Sequence, residues 1–182
     1  MNTVVYFDRF ETPLGAMLLA TDGVALVGAW FDGQRFFPAI DERWQRRRDS
    51  AVLQRASAML DEYFGGTLTA FDIALAPAGT AFQRAVWREI HAVPYGETIA
   101  YRDLALRIGS AAAIRAAGAA TGRNPLSIFV PCHRIVGAGS LLSNRLETQP
   151  KMGAVPPTRT CDVALSTCGS FSSSALLSCL SR

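Results

Sequence analysis

Apolar and polar residues alternate in short blocks over the first part of the chain, then recur at helical spacing through the middle. Residues 4–10 read as a strand, and Thr12-Pro13-Leu14-Gly15 as a turn with proline pre-set for its second position. Two further apolar runs, 16–21 and 24–30, flank Asp22-Gly23, which predicts a two-residue hairpin. Phe31-Asp32-Gly33 ends the third strand. Residues 34–49 lose the alternation and predict a polar connection. Within it, Arg46-Arg47-Arg48 reads as a solvated loop in preference to a phosphate contact. Leu53, Ala56, Leu60 and Phe64 then recur on one helical face. Ser50 stands at the N-cap of that helix and Gly65-Gly66 stops it. Residues 71–75 are read as one more strand. Residues 1–76 therefore predict a small α+β domain.

Ala76-Pro77-Ala78-Gly79 marks the boundary to a second domain, residues 77–139. Thr80 with Gln83 forms a capping box, opening a helix that places Phe82, Val86 and Ile90 on one face. His91 ends it as a surface residue near the negative helix pole. Pro94-Tyr95-Gly96 turns the chain. Residues 101–108 predict a second helix, Gly109-Ser110 a tight turn, and residues 111–120 a third helix. Helix, short glycine-containing turn and helix make up helix-turn-helix geometry. The third helix is built almost wholly from small residues, with Arg115 as its one charge. Such a helix suits close approach to a groove wall, and equally suits packing against another helix with Arg115 extended to solvent. The overall class is α+β, a sheet-plus-helix domain followed by a helical, winged-helix-like one.

Composition narrows the classes. Of the 182 residues 49% are apolar, enough for a core, and the net charge of +3 permits nucleic-acid binding without arguing for it. No apolar run is long enough for a membrane span, and the first residues lack the basic start and apolar stretch of a signal peptide. A cytoplasmic, reducing setting is the expectation, in which cysteines stay thiols. Cys161, Cys168 and Cys179 lack zinc-ligand spacing and nearby histidines, so no metal site is expected.

The candidate chemistry lies in Asn124-Pro125-Leu126-Ser127-Ile128-Phe129-Val130-Pro131-Cys132-His133-Arg134. Ile128, Phe129 and Val130 predict a buried, strand-like segment. It delivers Pro131, whose ring fixes the backbone before a cysteine and a histidine side by side. A thiolate is the nucleophile, and an adjacent imidazole able to take the thiol proton supplies one. The pair alone leaves two readings, a nucleophile or an inert buried thiol.

The longer string resembles the active-site signature of the O6-alkylguanine-DNA alkyltransferases, the methylated-DNA–protein-cysteine methyltransferases. The resemblance continues upstream through Gly79-Thr80-Ala81-Phe82-Gln83, Val86-Trp87, Pro94-Tyr95-Gly96-Glu97-Thr98 and Tyr101-Arg102-Asp103-Leu104-Ala105. It covers roughly residues 1–139 and is strongest from Gly79 to Gly137. It implies a ribonuclease-H-like fold for residues 1–76, and transfer of an alkyl group from O6 of a flipped guanine in double-stranded DNA to Cys132. It implies His133 as the base and Tyr101 as rotator of the target phosphate and proton donor to the leaving guanine. Arg102 and Ser110 match DNA-contacting positions. By resemblance Arg115 fills the gap left by the flipped base, and Asn124 ties the recognition helix to the active-site turn. No cofactor is implied, because the damaged base is itself the donor, and the protein is consumed as a monomer in one turnover.

Three departures stand out. Ala100 replaces a capping serine or threonine, and Ala111 a proline that opens the recognition helix. Residues 140–182 form a divergent tail, read as irregular, with nine serines, three of the four cysteines and only Glu147 and Asp162 as acids. There Ser143-Asn144-Arg145-Leu146-Glu147 stands in place of a tyrosine-containing loop, and Arg159 near an expected glutamate behind the histidine. The competing readings are a non-enzymatic alkyltransferase-like DNA-damage-binding protein, a helix-turn-helix regulator, a Cys-His hydrolase and an alkyltransferase impaired by its altered tail. Cys132 argues against the first, Pro131-Cys132-His133-Arg134 against the second, and the small-residue helix against the third, while the departing tail keeps the fourth open.

Overall fold

The structure, a computed structural model, describes residues 4–137. The expectations for residues 140–182, including the irregular tail, the altered loop and Arg159, lie outside the described residues. Those described group into two compact units, residues 4–77 and 78–137.

The first unit is a four-stranded sheet in the order β3-β2-β1-β4, with one helix. Strands β1 (Val5–Thr12), β2 (Gly15–Thr21) and β3 (Leu26–Phe31) form an antiparallel meander. The Pro13-Leu14 turn is as expected, and Thr12↔Gly15 closes the register. The β2–β3 connection is not the expected two-residue hairpin. The Asp22 carboxylate accepts from the N–H groups of Val24 and Ala25 at 2.9 and 2.8 Å. The Thr21 hydroxyl donates to Ala25 O at 2.6 Å. These side-chain bonds outcompete a tight turn, leave residues 22–25 as a loop and put Val24 in solvent.

Residues 34–49 are also more ordered in pattern than a polar connection. Trp44–Arg46 form β4, parallel to β1. Trp44 brings the hydrophobic surface that the run was read to lack: with Phe7 and Trp30 it covers the face of the sheet that carries Leu18 and Ala20. Arg46 pairs with Asp8 at 2.8 Å and the Arg47 guanidinium lies 4.7 Å from the Tyr6 ring centre. Helix α1 (Ala51–Phe64) packs on β1 and β2, burying Leu53, Ala56, Met59 and Leu60. Ser50 occupies its N-cap position, but its hydroxyl makes no cap bond. Residues 71–75 are not a strand. Only Leu75 bridges, to Leu26, because Leu26 N–H and O are the groups β3 offers there, to Ala74 O and Ala76 N–H.

The second unit is helical, which bears out the α+β class with a sheet-plus-helix unit first. Helix α2 (Ala81–His91) carries the predicted capping box in both directions. It buries Val86, Trp87 and Ile90 and leaves Phe82 half in solvent, because Trp87, not Phe82, faces the neighbouring helix. Strand β5 (Ile99–Ala100) runs into helix α3 (Tyr101–Arg107) and pairs in parallel with β6 (Ile135–Val136). The third predicted helix is shifted. Residues Ala111–Ala113 form a 3₁₀ turn, and α4 is Ile114–Gly122. Ser110 gives its hydroxyl to no cap bond and Ala111 lacks the pre-set φ of a proline, so the first turn winds tighter than α. Among the described residues no helix is long and apolar enough to cross a membrane.

Candidate active site

Small side chains decide how α4 sits. Ala117 and Ala120 are buried against the unit, while Ala111, Ala112, Ile114, Arg115, Ala116 and Ala119 face solvent. Trp87 of α2 donates its indole N–H to Ala120 O at 2.8 Å, locking the two helices. That approach depends on Gly79, where a Cβ would lie 2.7 Å from the Trp87 ring. Tyr101, at the start of α3, lies against Gly118 of α4. Arg102 and Arg115 are exposed and Ser110 is half-buried at the turn between them. The expected contact residues of the helix pair thus share one unit, with Arg115 projecting from a surface of alanines.

The cysteine segment departs from the sequence reading. Residues 127–129 form a turn, not a strand, with Ile128 at φ 72°. A β-branched residue in the left-handed region is strained, at a cost of order 1–3 kcal/mol, and persists only where its surroundings over-determine it. Asn124 supplies much of that constraint. Its amide donates to Val130 O at 2.8 Å and Leu126 O at 3.4 Å, and its carbonyl accepts from Leu126 N–H at 3.0 Å. Asn124 is 2% exposed, so these bonds satisfy a fully buried amide. Its backbone N–H donates to Thr121 O, in the last turn of α4, at 3.1 Å. Backbone bonds from Val130 N–H to Leu126 O and from Cys132 N–H to Val130 O, both 2.8 Å, complete the turn.

Cys132 and His133 then occupy a 3₁₀ turn, Cys132–Arg134, and both are half-buried. Cys132 is a thiol outside any disulfide. Burial, and after it the positive charge of Arg134, pushes the His133 imidazole down to about 4. At neutral pH the ring is uncharged and able to accept a proton. Arg134, buried, donates to Val93 O at 2.7 Å and stacks its guanidinium 5.5 Å from the Tyr95 ring centre. His91, read as a plain surface residue, places Nδ1 3.1 Å from Phe129 O. Arg134 carried a sequence signal, a charge beside Ile135 and Val136 that has to find buried acceptors. His91 carried none, because its acceptor lies 38 residues away. Among the described residues, no group of three or more His, Cys, Asp or Glu could hold a metal ion.

Two family models match the chain. The 6-O-methylguanine DNA methyltransferase ribonuclease-like domain matches residues 5–77. The DNA binding domain of the same methyltransferase matches residues 81–154, beyond residue 139, where the resemblance was read to stop. The methylated-DNA–protein-cysteine methyltransferase of Haemophilus influenzae is 37% identical over 142 residues, 78% of each chain. That of Methanosarcina acetivorans is 40% identical over 139 residues, 76% of this chain and 88% of the relative. A crystal structure of Mycobacterium tuberculosis OGT in complex with DNA superposes with a TM-score of 0.68 at 36% identity, covering 74% of this chain and 80% of the other.

Proposed function

The chain belongs to the methylated-DNA–protein-cysteine methyltransferase family, and on that premise we propose that it repairs DNA by moving an alkyl group from O6 of guanine to Cys132. The observation that carries this reading is a half-buried Cys132 outside any disulfide, next in the chain to a His133 held neutral and following a turn pinned by Asn124. His133 takes the thiol proton. The Cys132 Sγ attacks the alkyl carbon, an S–C bond forms and the C–O6 bond breaks. The guanine leaves with the bonding pair and is protonated by Tyr101. The thioether has no easy return, so each molecule acts once, as a monomer and in the reducing cytoplasm where the thiol persists.

The partner in this reading is double-stranded DNA carrying O6-alkylguanine. A base inside a duplex is out of reach, so the nucleotide has to be flipped. The alanine surface of α4 suits the minor groove, whose degenerate hydrogen-bond code tolerates any flanking sequence. Arg115 fills the vacated stack, Arg102 and Ser110 hold the backbone, and Tyr101 turns the target phosphate. The non-enzymatic alternative is not favoured, since the relatives are named as methyltransferases. Incubation with a duplex containing O6-methylguanine tests the proposal. The peptide around Cys132 should gain the mass of one methyl group, and an unmodified Cys132 with the lesion intact would overturn it.

A further inference from the structure

The turn that ends α2 touches the cysteine segment twice. His91 Nδ1 lies 3.1 Å from Phe129 O, three residues before Cys132, and Arg134 donates to Val93 O at 2.7 Å, two residues after it. A carbonyl oxygen only accepts, so His91 carries hydrogen on Nδ1. The neighbouring carbonyl, Val130 O, accepts from the Asn124 amide at 2.8 Å. Successive carbonyls are thus tied to His91 at the end of α2 and to Asn124, two residues past α4, directly after Ile128 in its left-handed conformation. Strain of that kind relaxes when a restraint is removed, and relaxation at residues 128–130 would carry Pro131 and Cys132 with it. Asn124 and Arg134 are buried and serve the packing as well. His91 is exposed, so its bond to Phe129 O is a tie added from the surface.

We propose that His91 is a positioning residue for Cys132, acting through the Phe129 carbonyl to hold the strained turn in the register that presents the thiol. The inference rests on the alkyl-acceptor reading of Cys132. The side chain does not reach the reacting atoms, and its effect is on geometry alone. The donor atom is specific: the amide nitrogen of asparagine can occupy the place of Nδ1, whereas that of glutamine reaches the place of Nε2.

The test compares the full-length protein with His91→Ala, His91→Asn and His91→Gln in single-turnover reaction with free O6-benzylguanine, which needs no flipping. A misplaced reacting group can lose as much as ~100-fold in rate, and His91→Ala should slow saturated transfer by about 10-fold or more on that scale, with half-saturation unchanged. His91→Asn should recover most of the rate and His91→Gln little of it. Iodoacetamide labelling of Cys132, followed by peptide mass, should rank the variants in the same order and does not depend on the alkyltransferase reading. A wild type that labels normally but never transfers would refute the alkyl-acceptor reading alone. Wild-type transfer and labelling rates in His91→Ala, with or without a lower melting temperature, would overturn the positioning role.

Discussion

His133 is the residue whose titration matters most. Burial and Arg134 hold its imidazole at about 4 in the folded chain, against about 6.5 when unfolded. Between those values the unfolded chain binds the extra proton. This contribution to stability is therefore complete above pH ~6.5 and is lost as pH falls toward ~4. Melting temperature should decline over that window, and His133→Gln, which takes up no proton there, should show a shallower decline. Identical slopes would mean that other groups set the acid limit. The same neutral ring is ready to take the Cys132 proton at physiological pH, but burial also opposes the imidazolium that results. Arg115 makes a different kind of demand. It is exposed on a surface of alanines, where truncation should leave stability unchanged within ~0.5 kcal/mol. If it replaces a flipped base, Arg115→Ala should reduce repair of duplex substrate far more than reaction with O6-benzylguanine. Equal losses on both would return it to an ordinary surface arginine.

At the scale of elements, the second unit depends on how closely α2 and α4 approach. Gly79 precedes the capping box, and the Trp87 ring occupies the space where its side chain would be. A Cβ there would also meet Gln83 Oε1 at 3.1 Å, the atom that accepts from Thr80 N–H at 2.9 Å. Gly79→Ala should therefore push on the tryptophan and on the cap together. Overpacking of this kind costs about 1–3 kcal/mol. Urea unfolding measures it, and an unchanged midpoint would show that Trp87 can swing aside without losing its bond to Ala120 O. A parallel arrangement stands in the sheet, where the Trp30 ring covers Gly28 and a Cβ would lie 1.8 Å from it. In both places a glycine and a tryptophan make one packing unit; Gly28 and Trp30 share a face by the strand period, whereas Gly79 and Trp87 are brought together by the fold.

For the whole molecule, the open variable is the tail. By resemblance a glutamate would orient the histidine, and the sequence has Arg159 near the position where that glutamate is expected. In a serine triad, spoiling the third member costs ~10⁴ in rate. A thiol is more acidic than a hydroxyl, so replacing the tail by a glutamate-bearing helix should accelerate transfer to Cys132 by a smaller factor, about 10–100-fold. Rates unchanged by the graft would mean that the third member is unnecessary or already supplied. The sequence by itself determined the class, the helix starting at the Thr80 capping box and the helix that opens at Tyr101, and it singled out Pro131-Cys132-His133-Arg134 as the candidate chemistry. Those features are local: a cap, a period and a run of adjacent residues act within a few positions of the chain. Tertiary structure alone decided the rest. It made a turn of residues 127–129 where an apolar run predicted a strand, because His91, 38 residues away, adds a donor to those of nearby Asn124. It recruited Trp44 into a fourth strand because β1 had an open edge beside it. It set His133 near 4, because burial is a property of the packed unit and not of the dipeptide.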